Sequence, residues 1–246
     1  MSLIYPDWPA PANIRAFTTT RLGGVSEGVY QSLNLGTRVG DDINHVLENR
    51  ARLKQFSQLP AEPVWLKQTH TTDVVNIDQA TPDIVLDADG SYSSKINRVN
   101  VVMTADCLPV LFCTTQSSEV AAAHAGWRGL CDGILEQTVK HFTAPSSSIM
   151  AWLGPAIGPE KFEVGQEVKQ LFEQVCVSDG SAFKPSPTTS GKYFADIYEL
   201  ARLRLHRMGI TRIYGGDYCT MTDSERFFSY RRDKQTGRMA SLIWCE

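Results

Sequence analysis

The chain has 246 residues, 42% of them apolar and 9% aromatic, enough apolar material for a sizeable core. Its 24 basic and 27 acidic residues are interspersed and leave a net charge of -3, which gives no electrostatic footprint for nucleic acid or an anionic membrane. The first residues break their apolar run at Pro6, Pro9 and Pro11, no other stretch is long enough to span a bilayer, and the six cysteines are sparse and irregularly spaced, so the expectation is a reduced, cytoplasmic protein.

Short, β-branched, apolar runs predict strands at Ile14–Thr19, Val64–Lys67, Val74–Ile77, Val99–Thr104, Val110–Cys113 and Val120–His124. Between the first two, Ile43, Val46, Leu47, Ala51 and Leu53 recur at a helical period behind an Asp41 or Asp42 cap. Leu130, Ile134, Leu135, Val139 and Phe142 predict a second helix, and Ile149–Leu153 a further strand. A third helix is marked by Val164, Val168, Leu171, Phe172 and Val175. A fourth is marked by Ile197, Leu200, Leu203 and Met208, between the Asp196 cap and Gly209. Strands return at Arg212–Tyr214, Phe227–Tyr230 and Met239–Trp244. Ser178–Lys192 is polar and rich in Gly and Pro, which reads as a surface loop; a boundary there would leave too short a remainder, so residues 1–246 are taken as a single domain. Strands and helices without regular βα alternation predict an α+β layered fold.

Two segments depart from what strand packing requires, Thr104-Ala105-Asp106-Cys107-Leu108-Pro109 and His124-Ala125-Gly126-Trp127-Arg128-Gly129. Each sets a potential ligand at a strand end, and the glycines after His124 permit close approach. A third strand ends in Gln68-Thr69-His70. The chain has five histidines; His45, His141 and His206 read as solvent-facing, which leaves His70 and His124. A lone Cys or His in such a place is ordinarily packing or a hydrogen-bonding residue. Together His70, Cys107 and His124 make a three-ligand set for zinc with a fourth position open, although their spread along the chain means that spacing alone does not prove it.

These segments, with Phe17-Thr18-Thr19-Thr20-Arg21-Leu22-Gly23-Gly24, Asp87-Ala88-Asp89-Gly90, Leu153-Gly154-Pro155, Phe162-Glu163-Val164-Gly165 and Phe228-Ser229-Tyr230-Arg231-Arg232-Asp233, occur in an order that resembles the laccase-domain, or multicopper polyphenol oxidase-like, proteins. The resemblance runs from about Phe17 to Trp244. It implies a layered α/β/β/α sandwich with mixed sheets, similar to the cytotoxic necrotizing factor catalytic-domain fold, and a metal site of His70, Cys107 and His124. It also implies purine nucleoside phosphorylase activity with adenosine deaminase side activity, polyphenol oxidation, or a role in editing peptidoglycan precursors.

The residues weigh these differently. A four-copper oxidase needs a three-copper cluster beside its blue copper, and five histidines cannot supply both. A single copper remains the alternative to zinc. Phosphorolysis needs phosphate held beside an anomeric carbon and a purine leaving group. Arg21, Gln68, Asp106, Arg128 and Arg231 are the candidate substrate contacts, against the ordinary reading of such arginines as surface ion pairs. Deamination would use water at the same open position, with Asp106 or Asp73 handling protons, but the Pro-Cys-x-x-Cys signature of the cytidine-type enzymes is absent. Without metal, Cys107 and His124 would make a thiol hydrolase. The expectation is a zinc-dependent purine nucleoside phosphorylase whose partners are a nucleoside and phosphate.

Overall fold

The protein is described from a computed structural model that covers residues 1–81, 84–116 and 118–246. Two sheets carry the architecture. One has six strands in the order Arg212–Gly215, Ile149–Leu153, Leu108–Thr114, Val120–Ala125, Gly90–Ser93 and Val74–Asn76, parallel at its two outer pairings and antiparallel within. The other has four antiparallel strands, Leu3–Ile4, Ile14–Thr19, Met239–Cys245 and Asn100–Thr104.

Alternation along the strands sorts the core into layers. Leu108, Val110 and Phe112 face Leu130, Ile134, Leu135, Phe172 and Leu205 on the helical side of the larger sheet. The intervening Leu111 and Cys113 face Val102, Met239 and Ile243 of the smaller sheet. The far face of the smaller sheet, through Phe17, Val101, Leu242 and Trp244, packs on Leu53 of helix α1 (Ile43–Phe56). The order helix, sheet, sheet, helices is the α+β layering expected. Asp42 caps α1 by accepting from the Asn44 amide, as expected.

Several elements differ from the sequence reading. The second helix is two, α2 (Trp127–Asp132) and α3 (Ile134–Val139), because Gly133 turns left-handed at φ 104° and stops the first. Val164 belongs to the strand Glu163–Gly165, and α4 (Gln166–Val175) starts after it with Leu171 and Val175 exposed. Phe227–Tyr230 forms no strand; Phe227 and Phe228 are fully buried anchors of an irregular segment that leads through the Ser229 cap into α6 (Tyr230–Asp233). The segment 178–192 holds the end of a 3-10 turn and the strand Phe183–Pro185, which pairs with Lys192–Ala195. The fourth helix, α5, spans Ile197–Arg207 behind the Asp196 cap. Among the described residues no helix is long and apolar enough to cross a membrane, and all six cysteines are free.

Candidate metal centre and its cleft

Cys107 lies on the three-residue step, 105–107, by which the chain leaves Asn100–Thr104 of one sheet and enters Leu108–Thr114 of the other. Asp106 makes that turn at φ 87°, a conformation that Asp tolerates better than most residues. Its carboxylate accepts from Thr220 Oγ1 at 2.6 Å, Ser229 Oγ at 3.0 Å and the Arg231 amide at 2.6 Å, which pins the turn. His124 shares a strand face with Val120 and Ala122, directed between the sheets. Its amide donates to the Asp89 carbonyl and its Nδ1–H to Asp89 Oδ1, both at 2.7 Å, leaving Nε2 for the cleft.

His70 is held by the same carboxylate. The amides of Thr69, His70 and Thr71 donate to Asp89 at 3.1, 3.0 and 2.7 Å, and Thr71 Oγ1 adds a bond at 3.0 Å. The backbone bends at His70, φ 65°, to aim these donors inward. Gln68 fixes the strand before it, its amide exchanging two hydrogen bonds with the backbone of Met103 at 2.8 and 2.7 Å. Gly126, at the start of α2, is required by space: a Cβ there would lie 2.6 Å from His70 Cδ2 and 3.2 Å from Cys107 Sγ.

Cys107 Sγ and His70 Nε2 are 3.7 Å apart, and the three donor atoms lie within 4.8 Å of one another. Two ligands on a tetrahedral zinc, one nitrogen and one sulfur, stand about 3.6 Å apart, so the pair is set for a shared ion. The Asp89–His124 bond is the carboxylate contact that fixes the tautomer and orientation of a ligating imidazole. Two neutral nitrogens and a thiolate suit zinc and copper alike.

The charges follow from these contacts. Burial opposes ionisation of Asp89, but the hydrogen bond and charge of His124 and the Thr71 and Thr69 amides bring it down to about 2. Burial likewise opposes the Cys107 thiolate, and His124, then His70, outweigh it and lower the thiol to about 6. Against its own burial, His124 is raised to about 9 by the Cys107 charge and by Asp89. Without metal, the pair is a thiolate facing an imidazolium.

The centre forms part of the wall of a cleft of about 600 Å³. Of the residues singled out for substrate contacts, Gln68, Asp106 and Arg231 line it, with the amide of Gln68 and the carboxylate of Asp106 occupied by the backbone and side chains just described. Arg231 donates Nη1 to the Glu163 carbonyl and lies over the Phe162 ring. Arg21 and Arg128 are not brought to the cleft. Arg21 binds the carbonyls of Gln31 and Ser224 and stacks on Phe228, while Arg128 is exposed over Trp127. The sequence reading missed Arg38, Arg50 and Arg238, which line the cleft from three separate segments, and the role of Asp89. The signal for Asp89 was a carboxylate between Ala88 and Gly90 in an otherwise buried strand approach.

Residues 15–246 match the family described as multi-copper polyphenol oxidoreductase laccase. The chain belongs to that family. A relative from Haemophilus influenzae named purine nucleoside phosphorylase is 53% identical over the whole of both chains, and one from Escherichia coli named purine nucleoside phosphorylase YfiH is 54% identical over 98% of each. The crystal structure of Neisseria meningitidis protein NMB0706 is 49% identical, covers 100% of both chains and superposes with a TM-score of 0.95. That of YlmD from Geobacillus stearothermophilus, 31% identical, gives 0.85 over 100% of both. For this member of the laccase family, among the described residues, His70, Cys107 and His124 are the one group of three ligand-type side chains placed to hold a metal. His45, His141 and His206 do not line its cleft.

Proposed function

We propose that the protein is a cytoplasmic, zinc-dependent purine nucleoside phosphorylase acting on adenosine, inosine, guanosine and methylthioadenosine. The observation that carries the site is the convergence of His70 Nε2, Cys107 Sγ and His124 on one open position at a nucleoside-sized cleft. The substrate class is supported by the names of relatives more than half identical over nearly the full chain. Zinc, when bound, supplies a Lewis acid with one position open to substrate.

The chain's own residues do the rest. In phosphorolysis a phosphate oxygen bonds to C1′ of the ribose, the C1′–N9 bond breaks, and the purine leaves with the electron pair and takes up a proton. Trp127, Phe162 and Tyr230 offer apolar walls for the base, and Arg231 offers positive charge beside them. Asp89 holds His124 in one tautomer, so that Nε2 is always the atom presented. Adenosine and phosphate incubated with the zinc-loaded protein should give adenine and ribose 1-phosphate. Free ribose would mean hydrolysis and inosine would mean deamination, and the absence of all three defeats the reading.

A second reading is favoured by one contact set: Cys107, His124 and Asp89 are arranged as nucleophile, base and orienting carboxylate of a thiol hydrolase. It requires turnover in metal-free protein that iodoacetamide abolishes. Single-copper polyphenol oxidation rests on the donor types and the family's description alone.

A further inference from the structure

Three arginines gather around the segment 35–38 at the cleft, and among the described residues none of them forms an ion pair. Arg50, from α1, donates Nε and Nη2 to the Leu35 carbonyl at 3.0 and 2.8 Å and stacks with its guanidinium carbon 3.6 Å from the centre of the Trp65 ring. Arg238 passes across Gly36, where a Cβ would stand 2.8 Å from its Cγ, and uses only Nη1, donating to the carbonyls of Thr236 and Gly237 at 2.9 and 3.0 Å. Arg38 is exposed and makes no hydrogen bond among the described residues. Among the described residues, Nη1 of Arg50 and Nε and Nη2 of Arg238 are left without an acceptor.

The same wall holds two further unmet groups. Among the described residues, Trp65 Nε1 and Thr104 Oγ1 are buried without a hydrogen-bond partner, and both residues line the cleft. Partly buried guanidinium donors left unmet are costly unless a ligand completes them. Asp106, the carboxylate lining the cleft, is already taken by Thr220, Ser229 and Arg231. Forked guanidinium groups that line one cleft and keep donors unmet match the oxygens of a tetrahedral oxyanion.

We propose that Arg50, Arg238 and Arg38 form a phosphoryl-binding subsite beside the metal centre, on the wall that also holds Trp65 and Thr104. Burial lowers the pKa of Arg50 to about 10 and also lowers that of Arg238, where the charges of Cys107 and Asp106 act in the opposite direction. On the phosphorylase reading, on which this assignment of the occupant rests, the subsite holds the attacking inorganic phosphate. The same chemistry would equally hold the phosphoryl group of a nucleotide substrate.

Calorimetric titration of the zinc-loaded protein, at low ionic strength, with inorganic phosphate, adenosine and adenosine 5′-monophosphate separates the two sources. Saturable phosphate binding that weakens by about tenfold or more in Arg238→Gln and Arg50→Gln, with zinc content and adenosine affinity unchanged, supports inorganic phosphate as occupant. If free phosphate does not bind, adenosine 5′-monophosphate binding more tightly than adenosine in the wild type, but equally in Arg238→Gln, supports a substrate phosphoryl group. Arg38→Gln, at an exposed residue without protein hydrogen bonds, keeps its fold and should weaken the same ligand by about threefold. The subsite is overturned if neither phosphate nor the nucleotide distinguishes these variants from the wild type. Phosphate that binds without yielding ribose 1-phosphate refutes the phosphorylase reading and leaves the subsite standing.

Discussion

Asp89 takes five hydrogen bonds, from three successive amides, one hydroxyl and one imidazole, and so orients both histidines of the centre at once. In Asp89→Asn the amide cannot accept all five, and one buried donor left unpaired costs about 1–3 kcal/mol. Zinc affinity, measured by competition with a chelator, should fall roughly 10–100-fold while circular dichroism stays unchanged; an undiminished affinity contradicts the orienting role. Because the Asp89 carboxyl is lowered to about 2, its contribution to stability is complete above its ordinary value of about 4 and is lost as pH falls through about 2. The gap in melting temperature between metal-free wild type and Asp89→Asn should therefore narrow between pH 5 and about pH 2. The lowered thiol of Cys107 makes a kinetic prediction. In chelated protein its alkylation by iodoacetamide should rise with pH through a midpoint near 6, while Cys113, buried and pushed up to about 12, stays unreactive at neutral pH. A Cys107 midpoint at the ordinary thiol value of about 8.5 would remove the imidazolium from the account. At this scale the sequence was most informative about ligands, since Cys107 and both histidines interrupt strand ends. It said least about which arginines turn inward, because that depends on where Leu35 and Gly36 pass.

The strand-to-helix junction at Gly126 was legible as a site of close approach, and the structure identifies what approaches. Gly126 has an ordinary φ of -63°, so alanine there meets no backbone penalty from handedness and only the contact with His70 and Cys107. Gly126→Ala should leave the melting temperature of metal-free protein nearly unchanged and weaken zinc roughly 10–100-fold, comparable to losing an orienting contact. Equal zinc affinity would mean that the ring of His70 has another place to go. Gly133 presents the opposite case. An added Cβ finds only the Glu136 side chain, at 3.5 Å, but φ 104° is left-handed, and Gly133→Ala should cost about 1–2 kcal/mol by denaturant titration with zinc binding intact. That break was hidden in the sequence because the apolar positions on its two sides, Leu130 and Ile134, keep a helical spacing across it. Phe227 and Phe228 misled in another way. Two adjacent aromatics suggest a strand, yet both are wholly buried on an irregular segment held by Ser229 and Asp106.

Across the molecule, the four layers follow from strand alternation, which the apolar runs displayed, while the order of strands depends on pairings between distant segments such as Ile14–Thr19 with Met239–Cys245. The site arises from that long-range order. His70 and His124 are tied through Asp89 beside the larger sheet, and Cys107 is delivered by the crossing from the smaller one. Histidine number could be counted beforehand and excluded a four-copper centre; the convergence on one open position could not. The phosphorylase reading places catalysis at that position. The direct measurement is a titration of chelated protein with zinc while ribose 1-phosphate formed from inosine and phosphate is followed. The account predicts a linear rise that breaks at about one equivalent of zinc in the wild type and no product at any zinc level in Cys107→Ala, whose fold is unchanged by circular dichroism. Full turnover before zinc is added, or undiminished turnover in Cys107→Ala, would contradict it.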